Sequence, residues 1–308
     1  MHVNRPTLAR WVGDPDRFMT SYWRKEPAVF RPPGGAPSPF GLADADGALA
    51  SGFLRTPYVE MARAEEPLGS ETYTTARTVH FSSHEGFADE AKIGKALEDG
   101  ATLLLRCVDQ WHAPTGETVA ALSGELGLAV EAFCFVTPAG RQGLPLHRDD
   151  ADVLVVQVEG SKQWSVHEGP ADGNWNPGPC QGAEPAEVLR ATVQAGEVLY
   201  IPRGFAHQAV GDGGLSAHLS LTIREVGVVD LFRVLQRTAF EGLRMAPRPL
   251  DDRSIADAAG ELIERARGRL AELTPEQLVD LARGSQRARM PAPRHVISLT
   301  EMAEAYQS

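Results

Sequence analysis

The feature that most constrains the fold is a succession of short β-type segments between residues 130 and 223. They are apolar or alternate between apolar and polar residues, and Gly and Pro separate them, as in VEAFCFVTP, DVLVVQVEG, KQWSVHE, EVLRATVQAGEVLYIPR, HQAVGD and LSAHLSLTI. Several short strands joined by such turns are typical of a jelly roll or a β-barrel. We therefore expect a mainly β core of this kind.

The stretch GLPLHRDDADVLVVQVEGSKQW, residues 143–164, carries a candidate metal site, because a His-x-Asp pair, His147 and Asp149, precedes its apolar run. Residues two apart on a strand point to the same face, so imidazole and carboxylate can converge on one ion while Arg148 points away. His207, in EVLYIPRGFAHQAV, is the best candidate for a third ligand. Two His and one carboxylate form the facial triad of non-haem Fe(II) sites. The alternative is a pair of surface polar residues.

Composition limits the function classes. The chain has 308 residues, 43% of them hydrophobic, and can bury a full core. It contains no apolar run of about 18 residues and no signal-peptide pattern, so we expect a cytoplasmic protein without a membrane segment. Three widely spaced cysteines indicate neither a disulfide framework nor a zinc knuckle. The net charge of −11 argues against general nucleic-acid binding but permits a basic protein or peptide partner.

The segments that flank the β core differ from it in their predicted secondary structure. N-terminal to it, helical segments such as ETVAALSGELGL mix with extended ones such as EPAVFR. From about Val226, three segments have helical periodicity, and Ser254 and Thr274 are placed as N-caps of the last two. We predict a catalytic domain over residues 1–225, a helical module over 226–285 and a C-terminal tail over 286–308.

Several of these segments carry a resemblance to a known family. TPAGRQGLPLHRDDADVLVVQVEGSKQWSV, GEVLYIPRGFAHQAV and SAHLSLTI resemble the JmjC-type ribosomal oxygenases of the cupin superfamily, and the likeness covers about residues 10–240. The resemblance implies a double-stranded β-helix (cupin or jelly-roll) core with an N-terminal α/β elaboration and a C-terminal helical module. It also implies Fe(II)-dependent hydroxylation coupled to the decarboxylation of 2-oxoglutarate. His147, Asp149 and His207 fall on the family's iron ligands.

Two further residues match the family's cosubstrate site. Lys162, fifteen positions after His147, matches the basic residue that holds the distal carboxylate of 2-oxoglutarate. Thr137 lies on a strand that lines the same pocket in the family. The role of Lys162 is physically sensible because a dianion in a dry barrel needs a fixed cation. The alternative is a solvated lysine in a turn formed by residues 159–161. His218 is either a core histidine or a pocket residue, and Arg203 is either a pocket residue or a residue that only decorates a turn.

Two departures from the family bear on the substrate. The short remainder after Thr274 leaves no room for the winged-helix domain that these oxygenases usually carry, and Phe133 stands where a polar side chain is expected. We therefore expect an Fe(II)- and 2-oxoglutarate-dependent oxygenase that hydroxylates a side chain in a protein or peptide. One alternative is a small-molecule or natural-product hydroxylase with the same chemistry. Another is a non-catalytic, metal-binding cupin that acts as a regulator.

Two expectations concern partners. The acidic run HRDDAD places Asp150 and Asp152 after the ligand pair, where they would face the pocket mouth and favour a basic or polar target, unless they only solvate a strand edge. The helical module is expected to form a homodimer, as the corresponding region does in similar oxygenases. The expectation also rests on the apolar stripes of the module, and the alternative is that these stripes pack within one chain. The stripes comprise Leu231, Val234, Leu235, Phe240, Leu262, Ile263 and Leu270.

Overall fold

The structure is a computed structural model that describes residues 4–64, 68–245 and 248–290, with residues 298 and 302. In these ranges the strands are β1 Ala28–Phe30, β2 Val59–Ala62, β3 Thr74–Val79, β4 Ser82–Ala88, β5 Thr102–Leu105, β6 Ala129–Thr137, β7 His147–Arg148, β8 Ala151–His167, β9 Gly178–Pro179, β10 Glu187–Gln194, β11 Val198–Ile201 and β12 Ala206–Arg224. The helices are α1 Pro6–Val12, α2 Pro15–Arg17, α3 Leu42–Ala50, α4 Glu90–Glu98, α5 Val108–Trp111, α6 Ala113–Leu126, α7 Val228–Phe240, α8 Asp252–Ala271 and α9 Pro275–Arg287.

The β core is one antiparallel network, in which the main path runs β1-β11-β8-β12-β6-β5-β2. Strand β10 also pairs with β8, and β7 joins β12 to β9. Strands β8 and β12 are long and pair with each other along most of their length, with a register shift between Asp212 and Ala217. The mainly β core predicted from the sequence is confirmed.

Strand β8 joins two segments that the sequence separates. The alternative that placed Lys162 after a turn at residues 159–161 is wrong, because the strand continues through these residues. Gly160 has a φ of +59°, and a Cβ at this position would lie 2.4 Å from the carbonyl oxygen of Leu215. Only glycine tolerates both the left-handed backbone and this close approach. Glycine therefore bends β8 at the point where its register with β12 shifts, pairing continues on both sides of the bend, and Lys162 lies on a strand instead of in a turn.

The alternation of side chains along the central strands separates two apolar clusters. Val153 and Val155 of β8 pack with Trp164 in the smaller cluster, whereas Leu154 and Val156 belong to the larger cluster. Successive residues of a strand point to opposite faces, so β8 buries both of its faces. This burial explains the continuous apolar run DVLVV, which a half-exposed strand would not need.

The N-terminal elements form the predicted α/β elaboration. The carboxylate of Glu125 on α6 accepts hydrogen bonds from the backbone N–H groups of Thr7, at 2.7 Å, and Leu8, at 3.0 Å. These donors belong to the first turn of α1, which has no partner within its own helix for them. Trp11 donates from its indole N–H to the carbonyl oxygen of Pro37 at 2.9 Å. None of the helices in the described ranges is long and apolar enough to cross a bilayer.

Residues 225–292 form a second compact unit, in which α7 packs on α8 and α9. Arg283 on α9 forms an ion pair with Glu225 inside this unit. Thr274 is the N-cap of α9 as predicted, since its hydroxyl accepts from the N–H of Gln277. The prediction for Ser254 is wrong: Asp251 caps α8, and Ser254 is the third helical residue, whose hydroxyl bonds back to the Asp251 N–H. Most of the predicted C-terminal tail lies outside the described residues.

Candidate active site

The fold brings the three predicted metal ligands together. His147 on β7 is paired directly with His207 on β12, and Asp149 follows in the connection to β8. The candidate ligand atoms of the three residues all lie within 4.8 Å of one another. The Nε2 atom of His147 is 3.8 Å from one oxygen of Asp149, and that of His207 is 3.6 Å from the other. The arrangement suits three ligands around one ion.

Both imidazoles are held in the tautomer that a metal ligand needs. Nδ1 of His147 lies 2.8 Å from the carbonyl oxygen of Pro145, and Nδ1 of His207 lies 3.0 Å from that of Phe205. A carbonyl oxygen can only accept, so each Nδ1 carries the proton and each Nε2 offers a lone pair toward Asp149. Burial, followed by the neighbouring His147, lowers the pKa of His207 to about 4. His207 is therefore neutral at physiological pH.

Backbone contacts tie the ligand loop to the turn before β12. The carbonyl oxygen of Asp149 accepts from the N–H of Gly204 at 3.0 Å. Arg148 donates to the carbonyl oxygens of Glu168, at 2.9 Å, and of Gly204. Arg148 does not line the cavity described below, as its place between two ligands predicts. The loop and the turn thus hold His147, Asp149 and His207 as one assembly.

The structure overturns the expectation for Asp150 and Asp152. Asp152 is fully buried and accepts from the Tyr200 hydroxyl at 2.6 Å, the Arg203 N–H at 3.2 Å and Nε of Arg24 at 3.2 Å. Asp150 pairs with Nε of Arg203 at 2.6 Å. Neither carboxylate lines the cavity, because strand alternation and the Arg203 turn direct both away from it. Arg203 is a structural partner of both acids.

A cavity of about 270 Å³ opens beside the three ligands. Its walls come from strands β5, β6, β8, β11 and β12, and they are apolar at Leu104, Phe133, Phe135, Val153, Val155, Trp164 and Ile201. Phe133, which departs from the family's pattern, is one of these apolar residues. The predicted cosubstrate residues Lys162 and Thr137 line the same cavity.

Lys162 and Thr137 are in contact. Lys162 is 4% exposed, and its Nζ donates to the Thr137 hydroxyl at 2.8 Å and lies 3.3 Å from Nδ1 of His218. The Thr102 hydroxyl lies 3.0 Å from that of Thr137. Within the described part of the chain, Lys162 has no carboxylate partner. Burial lowers the pKa of Lys162 to about 7. An uncompensated buried cation is costly, which makes this end of the cavity a fitting place for an anion.

His218 is a cavity residue and not only a core histidine. Its ring stacks on Phe135 with centroids 4.8 Å apart and meets the edge of Trp164 at 5.4 Å. Burial, then Lys162, lowers its pKa well below the usual value, so the ring is neutral. A neutral Nδ1 can accept a hydrogen bond from the Lys162 ammonium, and it thereby helps to orient that group.

Six further polar residues of the cavity wall were missed in the sequence: Thr102, Arg106, Gln208, Ser220, Thr222 and Arg224. Three of them occupy alternate positions of β12 after His218, and Leu219, Leu221 and Ile223 between them are fully buried in the larger apolar cluster. The signal was present in the sequence as polar–apolar alternation in HLSLTIR. It shows that one face is polar, but not that this face lines a cavity.

Comparisons with known proteins support one family. Residues 113–231 match the JmjC domain. Ribosomal oxygenase 1 of Gallus gallus is 29% identical over 220 residues, which are 66% of this chain and 34% of that protein. The bifunctional lysine-specific demethylase and histidyl-hydroxylase NO66 of Dictyostelium discoideum is 31% identical over 146 residues, 45% of this chain and 28% of that protein. The chain therefore spans about a third of the length of these relatives.

A solved structure shares the fold. The Escherichia coli ribosomal oxygenase YcfD, in complex with cobalt and 2-oxoglutarate, aligns with a TM-score of 0.53 and 17% identity over 85% of this chain and 67% of that one. At this identity the likeness shows the fold alone, and it confirms the predicted cupin or jelly-roll core. The domain match, the relatives and the fold agree with the resemblance read from the motifs. The chain is thus similar to JmjC-type ribosomal oxygenases, and its match to the JmjC domain lies in residues 113–231.

Proposed function

We propose that this chain is an Fe(II)- and 2-oxoglutarate-dependent oxygenase that hydroxylates a side chain in a protein or peptide. The observation that carries the proposal is a juxtaposition within one cavity. A His-Asp-His cluster with ligand atoms within 4.8 Å of one another shares this cavity with a buried lysine that has no carboxylate partner in the described residues.

The donor set fits the proposed metal. His147 and His207 offer neutral Nε2 atoms, and Asp149 offers a carboxylate, so the set supplies one negative charge and three ligands. Such a set leaves half of an octahedral coordination sphere for other molecules. When bound, Fe(II) and 2-oxoglutarate supply the activation of dioxygen that hydroxylation requires. Hydrogen bonds from both histidines to backbone carbonyls fix the direction of the ligands.

The cosubstrate end of the cavity has a complementary charge. Lys162 would hold the distal carboxylate of 2-oxoglutarate, and the Thr137 hydroxyl, which already contacts Nζ at 2.8 Å, would keep the ammonium directed to it. Val153, Val155 and Ile201 exclude water from the adjoining wall. An apolar wall lowers the local dielectric constant and so strengthens the contact between the ammonium and an anion.

The relatives support a protein or peptide substrate. The matched protein of Gallus gallus is named ribosomal oxygenase 1. That of Dictyostelium discoideum is named bifunctional lysine-specific demethylase and histidyl-hydroxylase NO66. For this chain the substrate is proposed by analogy with them. The experiment below distinguishes a non-catalytic cupin from an enzyme, and a mass-shift screen of peptides against metabolites would distinguish a small-molecule hydroxylase from a protein hydroxylase.

The test compares His147→Ala and His207→Ala with the wild type and with His84→Ala, whose side chain lies on β4 outside the cavity. We expect the two cavity variants to lose iron binding and the conversion of 2-oxoglutarate to succinate, because three protein ligands are the minimum of such a site. His84→Ala should retain both. Iron content and succinate are measured on each protein. Iron binding without succinate in the wild type would instead indicate a non-catalytic cupin.

We further propose that the chain acts in the cytoplasm and as a homodimer. Cys107, Cys134 and Cys180 are all free, which suits the reducing compartment in which Fe(II) persists. The dimer is supported by exposed apolar side chains on α7: Val228, Val229 and Phe232 are 81%, 60% and 55% exposed. Apolar surface of this kind commonly marks an interaction site.

A further inference from the structure

Two arginines form part of the cavity wall on the side toward solvent. Arg106 follows β5, and Arg224 ends β12. Their side chains are 40% and 36% exposed, whereas Lys162 is almost fully buried. Burial first, and then Glu131 and Asp109, raise the pKa of the Cys107 thiol to about 11, while Arg106 and Arg224 act in the opposite direction. The positive charges of both guanidinium groups therefore act on the same thiol, that of Cys107.

Each arginine has a glutamate partner that uses only part of its hydrogen-bonding capacity. Nε and Nη2 of Arg106 contact one oxygen of Glu60, at 2.7 and 2.6 Å. Nε of Arg224 contacts one oxygen of Glu131 at 2.7 Å. Neither glutamate lines the cavity. In the described part of the chain, Nη1 of Arg106 and both Nη atoms of Arg224 have no hydrogen-bond acceptor.

Two hydroxyl groups of this wall can also donate hydrogen bonds. Ser220 and Thr222 are each 7% exposed, line the cavity, and form no side-chain hydrogen bond with the described residues. Asp149 is the only carboxylate among the described lining residues, and the proposed function assigns it to the metal. A cationic side chain in this cavity would therefore meet arginines and find no free counter-charge. A carboxylate would find two guanidinium edges and two hydroxyl groups.

We infer that the outer part of the cavity binds a carboxylate of the substrate, with Arg106 and Arg224 as the specificity-determining residues. The inference rests on the proposed function and names its substrate class, an acidic side chain. It replaces the expectation of a basic target, whose basis was the wrong placement of Asp150 and Asp152. A guanidinium group can hold a carboxylate through two parallel N–H bonds, and the glutamates position the arginines without occupying the remaining edges.

The experiment measures dissociation constants on the full chain by ligand-observed NMR, both without metal and with Mn²⁺ and 2-oxoglutarate. The probes are three acetylated and amidated peptides, Ala-Ala-Xaa-Ala-Ala, in which Xaa is glutamate, glutamine or lysine, together with glutarate as a small acid. We expect the glutamate peptide to bind at least about tenfold more tightly than the other two peptides, as one charge-assisted contact implies. Tight binding of glutarate but not of the glutamate peptide would overturn the assignment to an acidic side chain.

Variants separate recognition from folding. Arg106→Met and Arg224→Met keep the apolar part of the side chain and should each weaken the glutamate peptide about tenfold. Glu131→Gln should tighten it, because a competitor for Arg224 loses its charge. Arg190→Met is the control: Arg190 also pairs with a glutamate, Glu187, but does not line the cavity. The Arg190→Met variant should bind the glutamate peptide as tightly as the wild type does.

Three results would overturn the inference: equal or tighter binding of the lysine peptide, unaltered binding in both cavity variants, or an equal loss in Arg190→Met. Iron-dependent release of succinate without peptide is measured in parallel. Its absence in the wild type would contradict the proposed function alone, since the binding contrast between the glutamate and lysine peptides does not depend on turnover.

Discussion

Some single residues lower the stability of the folded protein, and only their roles explain why they are present. Lys162 is buried beside Thr137 and His218 and has a pKa of about 7. The unfolded chain binds a proton at this lysine up to a pKa of about 10.5, so between pH 7 and 10.5 it binds more protons than the folded chain. The stability contributed by this position therefore rises with pH across that window, and the penalty is complete below pH 7.

Lys162→Met should accordingly stabilise the ligand-free protein at pH 6.5, by on the order of a few kcal/mol, and much less at pH 9.5. The same variant should require a much higher concentration of 2-oxoglutarate for the same turnover, because the cation for the distal carboxylate is gone. Urea unfolding at the two pH values measures the first effect. The control is Lys95→Met on the exposed face of α4, which should change stability little at either pH.

Binding of 2-oxoglutarate should also depend on pH through Lys162. Above pH 7 the lysine of the free protein is increasingly neutral, so a dianion must bind together with a proton. We expect the affinity to fall by up to about tenfold per pH unit above pH 7 and one proton to be taken up. Calorimetry in buffers with different ionisation enthalpies counts the proton. Proton release, or affinity that is constant from pH 7 to 9, would contradict the pKa of Lys162.

Asp152 is a second buried ionisable residue whose contacts affect the stability of the fold. Asp152→Asn keeps the shape but removes the charge that the Tyr200 hydroxyl, Arg24 and the Arg203 N–H share. We expect a loss of about 1–3 kcal/mol in the free energy of unfolding, because the partners are left with a weaker acceptor. Asp150→Asn, whose carboxylate is 42% exposed, should cost less than about 1 kcal/mol. Equal costs for both variants would show that burial of Asp152 does not matter.

At the scale of elements, the helix α6 shows how packing decides the effect of one substitution. It contains Gly116 and Gly124. A Cβ at Gly116 would lie 2.7 Å from the carbonyl oxygen of Asp109, whereas a Cβ at Gly124 meets no atom within 4 Å. The carboxylate of Asp109 accepts from the Ala132 N–H at 2.8 Å, so the crowded position adjoins β6.

Gly124→Ala should therefore stabilise the protein by about 0.5–1 kcal/mol through helix propensity. Gly116→Ala should destabilise it by about 1–3 kcal/mol, because α5 or α6 has to move. The two variants change the same residue type in the same helix and serve as controls for each other. Thermal unfolding measures both. Shifts of the same sign would mean that propensity, and not the contact with Asp109, dominates.

At the scale of the whole molecule, the described residues of 4–224 and those of 225–290 form two compact units. Val234 of the apolar stripe predicted in the second unit is 3% exposed and packs within the unit. Val229 and Phe232 on α7, which were not in the predicted stripe, are exposed. The exposed set is therefore the part of α7 that is available to a partner, and the proposed homodimer should use it.

Light scattering should give twice the mass of the 33.2 kDa chain for the wild type. Val229→Glu combined with Phe232→Glu should give the monomer mass without a loss of fold, because both side chains are exposed in one chain. Val234→Glu should instead unfold the helical unit, since its side chain is buried. A monomeric wild type, or a dimer that survives the double substitution, would contradict an interface on α7.

Much of the fold and part of the site could be predicted because their signals are local. Alternation in DVLVV and HLSLTI indicates strands, and the spacing of His147 and Asp149 places two candidate ligands on one face. Lys162 was found through its family motif, and its burial follows from its place on β8. The assigned roles of these residues stay proposals that the variants above test.

The remaining features depend on which distant strands pair. The sequence around Asp150 and Asp152 shows acidity, but only the contacts with Arg203, Arg24 and Tyr200 decide that these carboxylates are structural. Arg106 and Arg224 lie far apart in the chain and share a cavity because β5 and β12 flank the same strand, β6. Strand pairing is a non-local choice driven by the burial of whole faces, so local patterns determine the elements and tertiary packing decides which side chains meet.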